Sequence, residues 1–150
     1  MDSTTQTILA RAWTALVEAT ADRTPFTHGY FGTVGLDGEP QVRTVILRGA
    51  DIEASTVFFA SQAGASKIAE IEREPRVAFT FYDEHADLQV RLTGRAEVAV
   101  DSFPGDDANR YAMVAVGVET LETLDLTVEP YLRHRFVIRD GEWDGIALAP

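Results

Sequence analysis

Residues 88–100 read LQVRLTGRAEVAV, and their apolar character alternates along the whole run. Leu88, Val90, Leu92, Gly94, Ala96, Val98 and Val100 fall on one side, and Gln89, Arg91, Thr93, Arg95 and Glu97 on the other. A period of two sustained this long predicts a β-strand with one face toward a core and one toward water. The run exceeds an ordinary strand in length, so it has to bend and serve two parts of a curved sheet. Gly94, with no side chain to pack, is the natural place for that bend.

The rest of the chain fits the same architecture. Leu9, Ala12, Trp13, Leu16 and Val17 recur at helical spacing behind Asp2, Ser3 and Thr4, which predicts a capped helix over residues 4–21. GYFGTVGL and QVRTVILRG flank DGEP and read as a hairpin turned at Asp37-Gly38. STVFFAS and PRVAFTFYD are further strands, joined by a short helix, SKIAEIERE, with Ile68 and Ile71 inward. SFPGDDANRY is a turn-rich connection with room for one helical turn, and AMVAVGVET is another strand. YLRHRFVI and EWDGIAL pair across Asp140-Gly141. With no linker or repeat, residues 1–150 are expected to form one domain. The expected fold is mostly β (α+β), an antiparallel barrel, either closed or a split β-barrel, with an N-terminal helix and short connecting helices.

Composition narrows function by exclusion. A net charge of -11 repels a nucleic-acid backbone, so no such partner is expected, whereas a small anion held by a few local cations stays open. Without cysteine there is no disulfide, thiolate metal site or cysteine nucleophile. His28, His85 and His134 lack paired metal-ligand spacing, so no metal is expected and each reads as structural or surface. The opening residues lack the pattern of a secretory signal and no segment has the length of a membrane span, which predicts a cytoplasmic protein with no membrane partner. Gly32-x-x-Gly35-x-x-Gly38 lies in a strand and its turn, which rejects a dinucleotide fingerprint. Gly64-Ala65-Ser66 lacks the second glycine of a nucleophile elbow. No pair of acidic residues is spaced as an acid–base couple.

Two stretches remain. In QVRTVILRG, Arg43 shares a face with Val45 and Leu47, while Val42, Thr44, Ile46 and Arg48 share the other. A strand apolar on both faces is expected to be covered on both, so Arg43 needs an anion. That anion is either a ligand's or one of the chain's own 24 acidic residues. In FASQAGASKIAEI a strand ends in a small-residue loop before a helix starting at Ser66-Lys67. Free N–H groups, a hydroxyl and an ammonium there suit a phosphate, and a capped helix with an exposed lysine is the plainer alternative.

The order RTVILR, VFFAS…SK, EPRVAFTFY, LQVRLTGRAEV and RHRF…W…LAP resembles the pyridoxamine 5′-phosphate oxidase-related FMN-binding split barrels, from about Phe31 to Pro150. The resemblance implies that Arg43 contacts the FMN phosphate, with Val45 and Ile46 presenting main-chain groups to the flavin. It implies that Ser61, Ser66 and Lys67 also hold the phosphate and that Gln89 approaches the flavin or its ribityl chain. Arg135 would come from the second subunit, so a homodimer with the site at its interface is implied. Arg48 stands where the family has a substrate-binding lysine, and Tyr131 and Arg133 where it has an arginine and a histidine. The loop QAGASK is longer than the family's and carries Lys67 as its cation. These departures argue against vitamin B6 phosphates as substrate. The expectation is an FMN-dependent oxidoreductase acting on an unidentified small-molecule substrate or electron donor, with no general acid or base identified. The alternatives are a non-catalytic module of the same fold holding a flavin or haem, and an interaction protein that has lost its ligand.

Overall fold

The computed structural model describes residues 1–101 and 110–149. Helix α1 (Ser3–Ala21) begins where Asp2 accepts the Thr5 N–H at 2.7 Å, an N-cap bond that satisfies one of the free amides of the first turn. It buries Leu9, Ala12, Trp13, Leu16 and Ala19, whereas Val17, expected inward, lies at the margin with 36% exposure. Eight strands follow among the described residues: β1 (His28–Val34), β2 (Pro40–Asp51), β3 (Thr56–Gln62), β4 (Arg76–Asp83), β5 (Leu88–Asp101), β6 (Tyr111–Asp125), β7 (Leu132–Arg139) and β8 (Glu142–Leu148). Helix α2 (Ser66–Arg73) joins β3 to β4 and is the connecting helix found among the described residues. The connection expected at 102–111 falls, apart from its last two residues, outside them.

All pairings are antiparallel, in the order β3-β2-β1-β4-β5-β6-β7-β8, and β3 also pairs with β6. That last pairing closes six strands into a barrel and leaves β7 and β8 as an extension from β6. The barrel is filled by Phe31, Phe59, Phe79 and Phe81, which stack and cross at ring separations of 4.7–5.9 Å. Helix α1 packs against β2 and β8, with Trp13 edge-on to Trp143 at 6.3 Å.

The alternation in β5 is realised, with Val90, Leu92 and Ala96 buried and Arg91, Arg95 and Glu97 exposed. The β5–β6 register shifts between Thr93 and Gly94. A Cβ at Gly94 would lie 2.0 Å from the Gly117 carbonyl oxygen, so the two backbones approach more closely than any side chain allows. The β1–β2 hairpin turns at Gly38, whose φ of +84° is left-handed and whose N–H donates to Gly35 O at 2.8 Å.

The barrel is split on one side. Strand β2 pairs with β1 from Pro40 to Ile46 but meets β3 first at Leu47, opposite Phe59. Along Pro40–Ile46 its other edge has no strand partner among the described residues. The outer face of β2, expected to be covered, is open in the single chain: Val42 is 71% and Ile46 40% exposed. No helix among the described residues is long and apolar enough to cross a membrane.

Candidate functional site

Arg43 points inward beside Val45 and Leu47, at the end of the barrel under α2. Its Nη2 donates to Glu70 Oε1 at 2.6 Å, and its Nη1 donates to Thr33 Oγ1 at 2.8 Å and to Phe31 O at 3.3 Å. The Thr33 hydroxyl in turn donates to Glu70 Oε1 at 2.8 Å. The guanidinium carbon also stands 5.9 Å from the Phe31 ring centroid, within cation–π reach. Of the two anions the sequence left open, the chain's own is therefore present, as the Arg43–Glu70 ion pair. Glu70 is 7% exposed and Thr33 5%, so this network is anchored in the core, and its outer end at Arg43 still meets solvent.

Lys67 enters the same cluster from the first turn of α2. Partial burial, and after it the Arg43 charge, push its ammonium below the ordinary value of 10.5, while Glu70 pulls it up. Two cations and one carboxylate thus share the end of the barrel with a local charge of about +1, which favours an added anion. Ser66, the first residue of α2, is exposed. The helix has Ala65 at its N-cap and no side-chain capping bond, so the Ser66 hydroxyl is not used as a cap. Ser61, expected in the loop, is buried in β3 and donates to Gln62 O at 3.1 Å, which ties its hydroxyl to the strand's own end.

The free edge of β2 runs beside this cluster. The Leu47 N–H donates to Thr27 O at 2.8 Å, and this fixes the alternation: the main chains of Arg43 and Val45 face β1. Those of Val42 and Thr44 face the split, with Ile46 at the fork. Ile46 is therefore positioned to present main chain to a ligand, whereas the Val45 backbone bonds into β1 and its side chain, 6% exposed, fills the core.

The other candidates lie elsewhere on the outer surface. Arg48 is exposed on β2 beyond Ile46. Gln89 faces outward between Tyr82 and Leu124. Arg135 is exposed on β7, in a cross-strand row that runs Thr44, Tyr30, Thr80, Arg91, Glu122, Arg135. Five strand spacings of about 4.8 Å put it roughly 24 Å around the sheet from Thr44. One chain therefore gathers Arg43, Ser66, Lys67 and Ile46 but not Arg135. Sequence reasoning missed Thr33 and Glu70. The hairpin register carries the signal for Thr33, because a turn at Asp37-Gly38 sets Phe31 opposite Arg43 and Thr33 opposite Gln41 on the same inward face.

A protein-family model described as the pyridoxamine 5′-phosphate oxidase FMN-binding domain matches residues 10–100, more than half of the sequence. The chain belongs to that family. A pyridoxine/pyridoxamine 5′-phosphate oxidase of Rubrobacter xylanophilus is 35% identical over 127 residues, covering 76% of this chain and 58% of the relative's. The chain thus spans little more than half of that curated family member. Among solved structures, a pyridoxamine 5′-phosphate oxidase-related FMN-binding protein from Nostoc punctiforme superposes with a TM-score of 0.79 at 16% identity, covering 93% of this chain and 96% of the other. PhzG from Burkholderia lata, solved with tetrahydrophenazine-1-carboxylic acid, gives 0.74 at 14% identity, covering 97% and 92%. Both likenesses concern the fold, and they match the oxidase-related split barrel found here.

Proposed function

We propose that this family member binds FMN at the split of its barrel and uses it as a flavin-dependent oxidoreductase, working as a homodimer. The observation that carries the reading is the cluster of Arg43 and Lys67 around Glu70. Lys67, lowered by burial and by the Arg43 charge beside it, stands with Arg43 next to an uncapped helix start and an unpaired strand edge, a set that fits a terminal phosphate. FMN, when bound, supplies hydride acceptance and donation at its ring. The chain's residues bind and orient it. Arg43 and Lys67 would neutralise the phosphate, Ser66 and the first amides of α2 would donate to it, and the main chain at Ile46 would be offered to the flavin. Gln89 and the partner copy's position 135 complete the ring and ribityl contacts, since Arg135 of the same chain is too far around the sheet. Val42, Ile46 and Tyr30 form the apolar face that a second copy would cover.

The Arg43–Glu70 pair favours a second reading, in which the cations are structural and the barrel binds no flavin. Comparing FMN with riboflavin, which lacks the phosphate, separates the two without touching the protein. Under the first reading FMN quenches on binding and binds about 10- to 150-fold tighter than riboflavin, as expected for about 1.5–3 kcal/mol of charged hydrogen bonding. Equal affinities would remove the phosphate role, and no binding of either would leave the second reading. Bleaching of the bound flavin by NADH or NADPH and its reoxidation by an added acceptor then distinguish an oxidoreductase from a holding module.

A further inference from the structure

Beneath α1, on the inward face of β5, β6 and β7, lies a cavity of about 130 Å³ that shares no residue with the proposed FMN site. Its walls are apolar: Ile8 and Ala12 come from the helix, Leu88 and Leu132 from the sheet. Its floor is not. Thr123 and His134 are register partners across β6–β7, 3% and 7% exposed, and both line the cavity. Among the described residues neither side chain makes a hydrogen bond, although each can both donate and accept. Neither belongs to the fully enclosed polar atoms without a partner, which among the described residues are Trp13 Nε1 and Arg110 Nε, so the hydroxyl and the imidazole open onto the cavity and are free to bond to whatever fills it. At the mouth, Thr127 and then Arg11 hold the Asp125 carboxylate below its ordinary range, and Arg11 approaches Asp125 without closing an ion pair. Arg11 and Asp125 oppose each other at the mouth, and the Asp2 carboxylate also acts on His134 from the start of α1, so no excess of positive charge draws an anion in.

We propose that this cavity is a binding site for a small, uncharged ring compound with a hydroxyl-like hydrogen-bonding edge, the ring lying between α1 and the sheet and the polar edge on Thr123 and His134. The volume suits this class, because an apolar cavity of about 150 Å³ accommodates benzene. Position adds interest. Leu88 and Gln89, Thr123 and Leu124, and Leu132 and Arg133 are neighbours with opposite orientations, so the cavity backs directly onto the outer surface that carries Gln89.

The test is titration of the protein as purified with phenol, followed by the imidazole resonances of the three histidines, with benzoate and benzylammonium as charged probes of similar size. Phenol is expected to shift His134 saturably and to bind more tightly than either charged probe. Thr123→Val, which keeps the shape and removes the hydroxyl, should weaken phenol by about 3- to 10-fold, and Ala86→Leu, at the exposed rim, should block it. No saturable shift at His134, tighter binding of a charged probe, or unchanged binding in both variants would overturn the proposal. Ala86→Leu stands at a solvent-facing position, so it tests the site even if Thr123→Val fails to fold.

Discussion

Because Glu70 gives Arg43 both a charge partner and a fixed orientation, truncating Arg43 leaves the buried Glu70 with Lys67 as its nearby cation, and truncating Glu70 leaves two cations facing each other, at a cost of about 1–3 kcal/mol since Arg43 still meets solvent. Arg43→Ala is therefore a poor probe of phosphate binding, since lost folding and lost affinity would coincide. Glu70→Gln is better. It keeps the shape and an acceptor for the Thr33 hydroxyl while raising the local charge by one unit. If Glu70 competes with the phosphate for Arg43, Glu70→Gln should tighten FMN by about tenfold, or ~1.4 kcal/mol, leaving riboflavin unchanged; weaker FMN binding would mean that Glu70 acts mainly by holding Arg43 in place. Lys67 supplies a pH test. Burial and Arg43 lower its folded pKa below 10.5, so the unfolded chain binds more protons in the window between, and this group's contribution to stability rises with pH there. Phosphate binding runs the other way, because it needs the protonated ammonium. FMN affinity should fall as pH rises through the lowered pKa, before 10.5 is reached, and the fall should be absent for riboflavin and in Lys67→Ala, as followed by flavin fluorescence.

At the level of elements, the bend in β5 rests on one position. A methyl group at Gly94 has nowhere to go, with Gly117 O at 2.0 Å and the Gly117 carbonyl carbon at 2.9 Å, both backbone. Gly94→Ala should cost about 1–3 kcal/mol or more in urea denaturation. Gly117→Ala, across the same bulge, meets nothing closer than Arg95 O at 3.8 Å and should be neutral or slightly stabilising. A tolerated Gly94→Ala would mean that the β5–β6 register slides. An irregularity at Gly94 was legible, as a bend and not as the register shift found, because glycine is the one residue of the thirteen without a side chain to pack, and the β1–β2 hairpin was legible because Asp37-Gly38 demands a turn. The continuation of β6 through Leu121–Asp125 was not legible. LETLD places Glu122 and Asp125 where a strand reader expects a loop, and the Glu122 charge is met by residues remote in sequence, whereas Asp125 is met locally at the strand's end. Glu122 pairs with Arg133 at 2.9 Å and Arg91 at 3.4 Å, and Asp125 accepts from Thr127. The same separation hid Glu70, whose guanidinium partner lies 27 residues earlier. Local periodicity reports which way a side chain faces, but an ion pair closed by the fold leaves no local mark.

For the molecule as a whole, the geometry of Arg135 and the open face of β2 lead to the same requirement. Val42, at 71% exposure, with Tyr30 at 52% and Ile46 at 40%, lies beside the free edge of β2. A second copy covering this patch would remove apolar surface from water and could bring its own β7 to the split. Val42→Lys tests this without disturbing the core, because the side chain already projects into solvent, and without repelling the phosphate, because it adds a positive charge. The expected result is a folded monomer in sedimentation at low micromolar concentration, with FMN binding weakened but still better than riboflavin binding, since Arg43 and Lys67 belong to the same chain as the split they serve. A wild-type protein that sediments as a monomer, or a Val42→Lys monomer that binds FMN as tightly as wild type, would show that the flavin does not need residues from two copies. If the mutant stays dimeric, the interface lies elsewhere, and the apolar stripe on β2 has some other cover.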